Sequence, residues 1–190
     1  MWHILCCLPI LVGIARAVHF TFTHYFLPDE MVYTSSIYYW FQEGSFQLFQ
    51  ARKMFQLFLL GIAVLFRLDT PDVFIPFFSI FLSLFSSLSM FFGVKISRMY
   101  GLEEKWLVPL LFLISPIFMA LSGLILTENL TIFLLIFTCY IYLKYVENKE
   151  VSYLVVSGVV CGLGCRFKEP SIIFFGFILA SLLYRKEKLK

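Results

Sequence analysis

Charge is scarce in this chain. Only 14% of its 190 residues are Asp, Glu, Lys or Arg, while 61% are hydrophobic and 19% aromatic; an average soluble domain carries roughly 25% charged residues. A soluble globule of this length has no room inside for 24 Phe, so the shortage of charge excludes a soluble domain and implies a lipid bilayer as solvent. The net charge of +3 is small and dispersed, and no Lys/Arg-rich block precedes the terminal Arg185-Lys186-Glu187-Lys188-Leu189-Lys190, which excludes a nucleic-acid partner. No Gly-x-Ser-x-Gly elbow, P-loop, dinucleotide fingerprint or His-Glu-x-x-His motif occurs, so the templates of soluble enzymes do not apply. Tandem repeats and low-complexity linkers are also missing. The five cysteines, at 6, 7, 139, 161 and 165, all lie in apolar segments. They read as packing residues, including Cys161 and Cys165 one helical turn apart, and leave the compartment undecided.

What is present is a series of apolar stretches. Residues 73–94 and 106–127 are two uncharged runs of 22 residues each, and both exceed the roughly 20 residues a helix needs to span a bilayer. Residues 1–27, 129–146, 151–166 and 170–184 supply four further crossings, with flanking Lys and Arg able to snorkel. Ala15-Arg16-Ala17 has the small-x-small form of a signal-peptidase site, yet the chain opens without Lys or Arg and stays apolar past it, so an uncleaved helix is expected. Residues 54–66 would make a helix of about 20 Å, short of a hydrocarbon core of about 30 Å, and are expected to be re-entrant or interfacial. Residues 28–53, with Pro28, two acids and aromatics such as Tyr38, Tyr39 and Trp40, read as a loop carrying short amphipathic helices at the membrane surface. The expected fold is therefore all-α, a single polytopic membrane bundle of six to seven transmembrane helices with a tail at 185–190. Ser79, Ser83 and Ser87, and the pair Gly158 and Gly162, are expected to let helices approach closely.

If 54–66 does not cross, nine Lys and Arg fall on one side and five on the other. The positive-inside rule then puts both termini in the cytoplasm, and Asp29, Glu30, Glu128, Arg166 and Lys168 together on the extracytoplasmic face. Charges at a membrane are costly, so each has either a partner or a task. Asp29-Glu30 could supply a general base, a metal ligand, or a solvated helix-end charge. Glu128, in Thr127-Glu128-Asn129-Leu130, either sits at a helix N-terminus with Thr127 as cap or lines a site. Asn129-Leu130-Thr131 is formally a glycosylation acceptor but abuts the hydrocarbon. Arg166 and Lys168 either snorkel from a loop or hold a phosphate, Arg by its fork and Lys as a point charge. Arg16 pairs with lipid phosphate or with one of the acids. His19 and His24 lack metal-ligand spacing and read as interfacial.

These residues resemble a known group. Arg16, then Pro28-Asp29-Glu30 with Tyr33 and Glu43-Gly44, then Ser115-Pro116, Ser122 and Thr127-Glu128-Asn129-Leu130, and finally Gly158 to Gly164 with Lys168-Glu169-Pro170, are similar in order to the membrane glycosyltransferases of the C-type fold, which include protein mannosyltransferases and the lipid A aminoarabinose transferase. The resemblance implies a glycosyltransferase, or the catalytic half of one, that takes a hexose or pentose from a polyprenyl-phosphate donor on the extracytoplasmic face of the plasma membrane or endoplasmic reticulum. It implies catalytic roles for Asp29, Glu30 and Glu128, with Asp29 first as base. It also implies donor contacts by Lys168, Arg166, Arg16 and Tyr33, and a divalent cation, Mg or Mn, held by Asp29 and Glu128. Members of the group are longer than this chain, so a second polypeptide supplying further helices is an expected partner. The alternative is an accessory membrane subunit that keeps the packed helices without turnover. Ala51-Arg52-Lys53-Met54 stands where many relatives carry prolines.

Overall fold

A computed structural model describes residues 2–25, 27–48, 52–104, 106–168 and 172–188. Lys105, Glu169, Pro170 and the last two residues, on which some sequence expectations fall, lie outside the described residues. Among those described, the chain forms nine helices and no strand. They are α1 Trp2–Thr23, α2 Pro28–Gln42, α3 Lys53–Phe66, α4 Pro71–Met99, α5 Leu107–Ile114, α6 Pro116–Ser122, α7 Thr127–Asn148, α8 Val151–Phe167 and α9 Ile172–Lys188. Three of them, α1, α4 and α7, are long and apolar enough to cross a membrane, at about 33, 44 and 33 Å from the helical rise. The helices α3 and α8 are apolar but shorter. The molecule is an integral membrane protein.

The centre of the bundle is α4, which packs most extensively on α1 and then on α7, while α8 packs on α7. Lipid tails are as apolar as Leu, so close approach rather than hydrophobicity holds such helices together. Gly13 of α1 shows how: a Cβ there would lie 2.5 Å from Ser83 Oγ and 2.7 Å from the Ser79 carbonyl oxygen of α4. The serine face thus serves the close contact expected of it. The Gly158 and Gly162 pair does not, since no described atom lies within 4 Å of a Cβ built at either; their face of α8 is exposed.

The helix expected over 106–127 is two short ones. Ser115 is extended (φ −71°, ψ 106°), and its side chain accepts a hydrogen bond from the Phe118 N–H as the N-cap of α6. Pro116 follows at the first helical position, where its fixed φ and missing N–H suit a helix start and push the residue before it out of the α region. After α6 the chain presses Gly123 onto α1, 3.1 Å from the Val12 carbonyl oxygen by its virtual Cβ. It then runs to Leu126, the extended N-cap of α7.

The start of α3 packs on α2, and its end leads into the start of α4 beside the end of α1. At its start, Phe55 packs edge-on against Tyr33 of α2, ring centroids 5.2 Å apart. Beyond its end, Gln42 Nε2 donates to the Asp69 carbonyl at 3.1 Å, and His24 Nδ1 is 3.1 Å from Asp72. A left-handed Arg67 (φ 54°) stops α3, and the Leu68 N–H bonds back to the Ala63 carbonyl at 2.8 Å, the arrangement that satisfies a helix's last carbonyls.

Candidate active site

Three segments converge at this end of the bundle: the first turns of α2, the start of α7 and the end of α8. Pro28, Asp29 and Glu30 occupy the first three helical positions of α2, where Pro is tolerated and acids complement the helix dipole. The two acids have opposite fates. Asp29 is exposed, whereas Glu30 is wholly buried. One Glu30 oxygen, Oε2, accepts from Arg16 Nη2 at 2.8 Å and from the Leu27 N–H at 3.1 Å, and Oε1 accepts from the Ile125 N–H at 3.0 Å. Arg16 also donates to the Tyr25 carbonyl at 2.8 Å. The expected pairing of Arg16 with an acid is therefore made to Glu30, both of whose oxygens are occupied by donors.

One turn along α2 from Asp29, the Tyr33 phenol lies close to Thr127 of α7. Burial, and after it the negative charges of Asp29 and Glu128, push this phenol above its ordinary range; Thr127 and the cation of Arg52 pull the other way. Tyr33 thus lies within electrostatic reach of Asp29, Glu128 and Arg52. Thr127 does not cap α7. Leu126 is the N-cap, without a side-chain bond, and the Thr127 hydroxyl donates to Glu128 Oε2 at 3.1 Å. The other oxygen, Oε1, takes the Lys168 ammonium in an ion pair.

Aromatic packing sets Lys168 in place. Its neighbour Phe167 is buried against Phe55 and Phe58 of α3, at centroid distances of 6.3 and 5.8 Å, and Lys168 itself leaves α8 in extended conformation. The same Phe55 supports Tyr33, so one side chain of α3 sits under both halves of the site. Arg166, expected beside Lys168, is exposed in the last turn of α8 with no ion pair among the described residues.

The residue that sequence reasoning missed is Arg52. It reads as a flanking charge before an apolar segment, and only the packing of α3 against α2 brings it within reach of Tyr33. Its left-handed backbone (φ 55°) at the N-cap of α3, a conformation a non-glycine residue seldom adopts, is invisible in the sequence. Asn129, the formal glycosylation acceptor, is buried. It donates to the Leu121 and Leu124 carbonyls at 2.9 and 2.8 Å and accepts from Ser86 of α4 at 3.1 Å. Among the described residues no group of three or more His, Cys, Asp or Glu gathers as a metal centre would.

The site holds a solvent-facing carboxylate, a second carboxylate on an ammonium, and a protonated phenol between them. Such a set can take a proton from a hydroxyl on one side and meet a phosphate with a cation on the other. Searches of the curated proteins and of the solved structures find no match to this chain. The model of the dolichyl-phosphate-mannose-protein mannosyltransferase family matches residues 54–190, which include Arg166, Glu128 and Lys168 but not Asp29 or Tyr33. A match of that extent makes the chain a member of the dolichyl-phosphate-mannose-protein mannosyltransferase family of membrane glycosyltransferases, which draw sugar from a dolichyl-phosphate donor.

Proposed function

We propose that the chain transfers a sugar from a polyprenyl-phosphate donor to an acceptor hydroxyl, at the extracytoplasmic membrane surface. The observation that carries this reading is the meeting of Asp29, Tyr33, Glu128 and Lys168, drawn from α2, α7 and α8, at one end of the bundle. Asp29 is the exposed acid and takes the acceptor proton. The acceptor oxygen bonds to the anomeric carbon, the bond from that carbon to the phosphate oxygen breaks, and the electron pair leaves with the polyprenyl phosphate. Lys168 meets the charge that grows on that phosphate, with Arg166 free to swing in from the adjacent turn. Glu128 holds the Lys168 ammonium at this position until the donor arrives.

The positive charge in this scheme comes from protein side chains. A divalent cation on Asp29 and Glu128 would have to displace Lys168 and Thr127 from the Glu128 carboxylate, and such a donor set fits Mg or Mn poorly. The excess of Lys and Arg on the opposite side of the membrane supports an extracytoplasmic site. So do the contacts at the two ends of α3, Phe55 on Tyr33 of α2 and Phe66 on Phe77 in the first turns of α4, which favour one face for Asp29 and Glu128.

The test is a transfer assay on the purified full chain with polyprenyl-phosphate mannose and a hydroxylated peptide. Asp29→Asn should lower kcat by about 100-fold or more, the range of a lost general base, with Glu128→Gln also impaired. Product formed equally well by both variants would refute the scheme. No product from the wild type would favour an accessory subunit.

A further inference from the structure

The geometry points to Arg16 and Glu30 as a positioning pair that sets the distance between the two halves of the site, an inference that rests on the proposed transfer reaction. Glu30 cannot itself exchange protons with an acceptor. It is fully buried, and three donors occupy its two oxygens: Arg16 Nη2, the Leu27 N–H and the Ile125 N–H. Those donors come from three separate segments. Arg16 belongs to α1, Leu27 is the N-cap of α2 two residues before Asp29, and Ile125 lies three residues before Glu128. Fixing Leu27 fixes the turn that presents Asp29, and fixing Ile125 fixes the approach to Thr127 and Glu128.

Arg16 seats the same segments from the other side. Its guanidinium holds the Tyr25 carbonyl, and its Cβ lies 3.3 Å from a virtual Cβ on Gly123, so the stretch from Gly123 to Ile125 rests on Arg16 and is tied by Glu30. A buried ion pair is weak evidence for stability as such, because hydrophobic replacements of equal volume often stabilise as well. The distinctive contribution here is the pair of backbone N–H groups that Glu30 accepts 95 residues apart in the sequence from Ile125 and three from Leu27. A cation in its place has no acceptor to offer. Exchanging the charges by a double substitution, Arg16→Glu with Glu30→Arg, would therefore restore the ion pair but not the tie.

The experiment combines steady-state kinetics with hydrogen exchange on the full chain in lipid nanodiscs. Glu30→Gln keeps the size of the side chain but presents an NH2 where a donor already points. It should lower kcat by about 100-fold, the scale of a misplacement of about 1 Å, with donor KM and the acidic limb of the pH profile retained. Exchange at the Ile125 amide should rise in the same variant, whereas Asp29→Asn should lower kcat and leave that amide protected. Arg16→Lys retains the charge without the fork and provides a milder second variant, with a smaller rise in the same exchange. The charge-exchanged double variant should leave the Ile125 amide unprotected. Unchanged Ile125 exchange in both Glu30→Gln and Arg16→Lys overturns the inference, as does loss of the acidic limb in Glu30→Gln, which would make Glu30 a base. Absence of transfer by the wild type would sink the proposed reaction instead, and the exchange arm would still report whether the tie exists.

Discussion

Tyr33 is the residue at which the charges of the site can be read out separately. Its phenol is raised by burial first and by Asp29 and Glu128 next, so the folded state holds its proton above the unfolded value of about 10. A raised folded value means that its contribution to stability is complete below pH 10 and is lost as pH climbs through the folded value. Alkaline ultraviolet titration of the wild type should therefore contain one late-ionising phenol that Tyr33→Phe removes. Asp29→Asn takes away one of the two acids and should move that phenol downward; an unmoved late phase would separate Asp29 from Tyr33. Lys168 calls for a different measurement. Its pair with Glu128 is partly exposed, at 27% and 29% of the side chains, and such pairs contribute about 0–1 kcal/mol to stability. Lys168→Met should leave the melting temperature within a few degrees and raise the donor KM or abolish transfer. A large loss of stability with normal transfer would make the pair structural. The charged candidates Asp29, Glu128 and Lys168 were legible in the sequence because an apolar chain isolates each charge. That Glu30 is buried and Asp29 exposed was not, since adjacent acids in a helix's first turn differ only by where the rest of the bundle lies.

At the scale of elements, the start of α7 depends on a neutral side chain. Asn129 ties the end of α6 and the following turn through two donors, and α4 through one acceptor. Truncation removes one bond from each of two carbonyls that keep backbone donors, Leu124 N–H on Leu121 and Leu126 N–H on Leu124, and takes from the Ser86 hydroxyl its bond to Asn129, at about 0.5–1.5 kcal/mol for each bond lost. Asn129→Ala should lower the melting temperature and loosen 121–126 in hydrogen exchange, and with it the register of Glu128. Asn129→Asp, which keeps the acceptor but not the donors, should cost nearly as much; a neutral outcome for both would show that water replaces these bonds. Gly13→Ala tests the other contact, α1 on α4. A Cβ below 3.0 Å from both a side chain and a backbone carbonyl forces the helices apart, so a loss of about 1–3 kcal/mol is expected from overpacking. The break between α5 and α6 shows where element-level signals compete. Ser115-Pro116 has the form of a helix start, yet hydropathy runs on without interruption through 106–127 and reads as one span. Hydropathy measures preference for lipid and is blind to a cap, so the local chemistry of Ser and Pro decided the matter.

For the whole molecule, the arrangement of helix ends makes a topology prediction. The end of α1, the start of α4 and the start of α7 lie together, because His24 meets Asp72 and Glu30 meets Ile125. The far ends of α4 and α7 lie about 33–44 Å away along their axes by the helical rise, more than the hydrocarbon thickness of about 30 Å. Glu43, exposed after α2, therefore belongs to one face of the membrane, and Glu150, exposed after α7, to the other. The positive-inside rule, applied to the Lys and Arg excess near the second face, predicts that this face is cytoplasmic. In intact cells a membrane-impermeant maleimide should label Glu43→Cys and spare Glu150→Cys, with the native cysteines replaced by Ala or Ser, and permeabilisation should expose both. Labelling of both positions from outside would mean that α7 does not cross. The reverse pattern would place Asp29 and Lys168 on the cytoplasmic side and transfer the donor question to that leaflet. The same experiment weighs α3. A helix α3 that lies along one side predicts that Arg67→Cys labels together with Glu43→Cys; labelling together with Glu150→Cys would require α3 to cross and would separate the start of the site from its end.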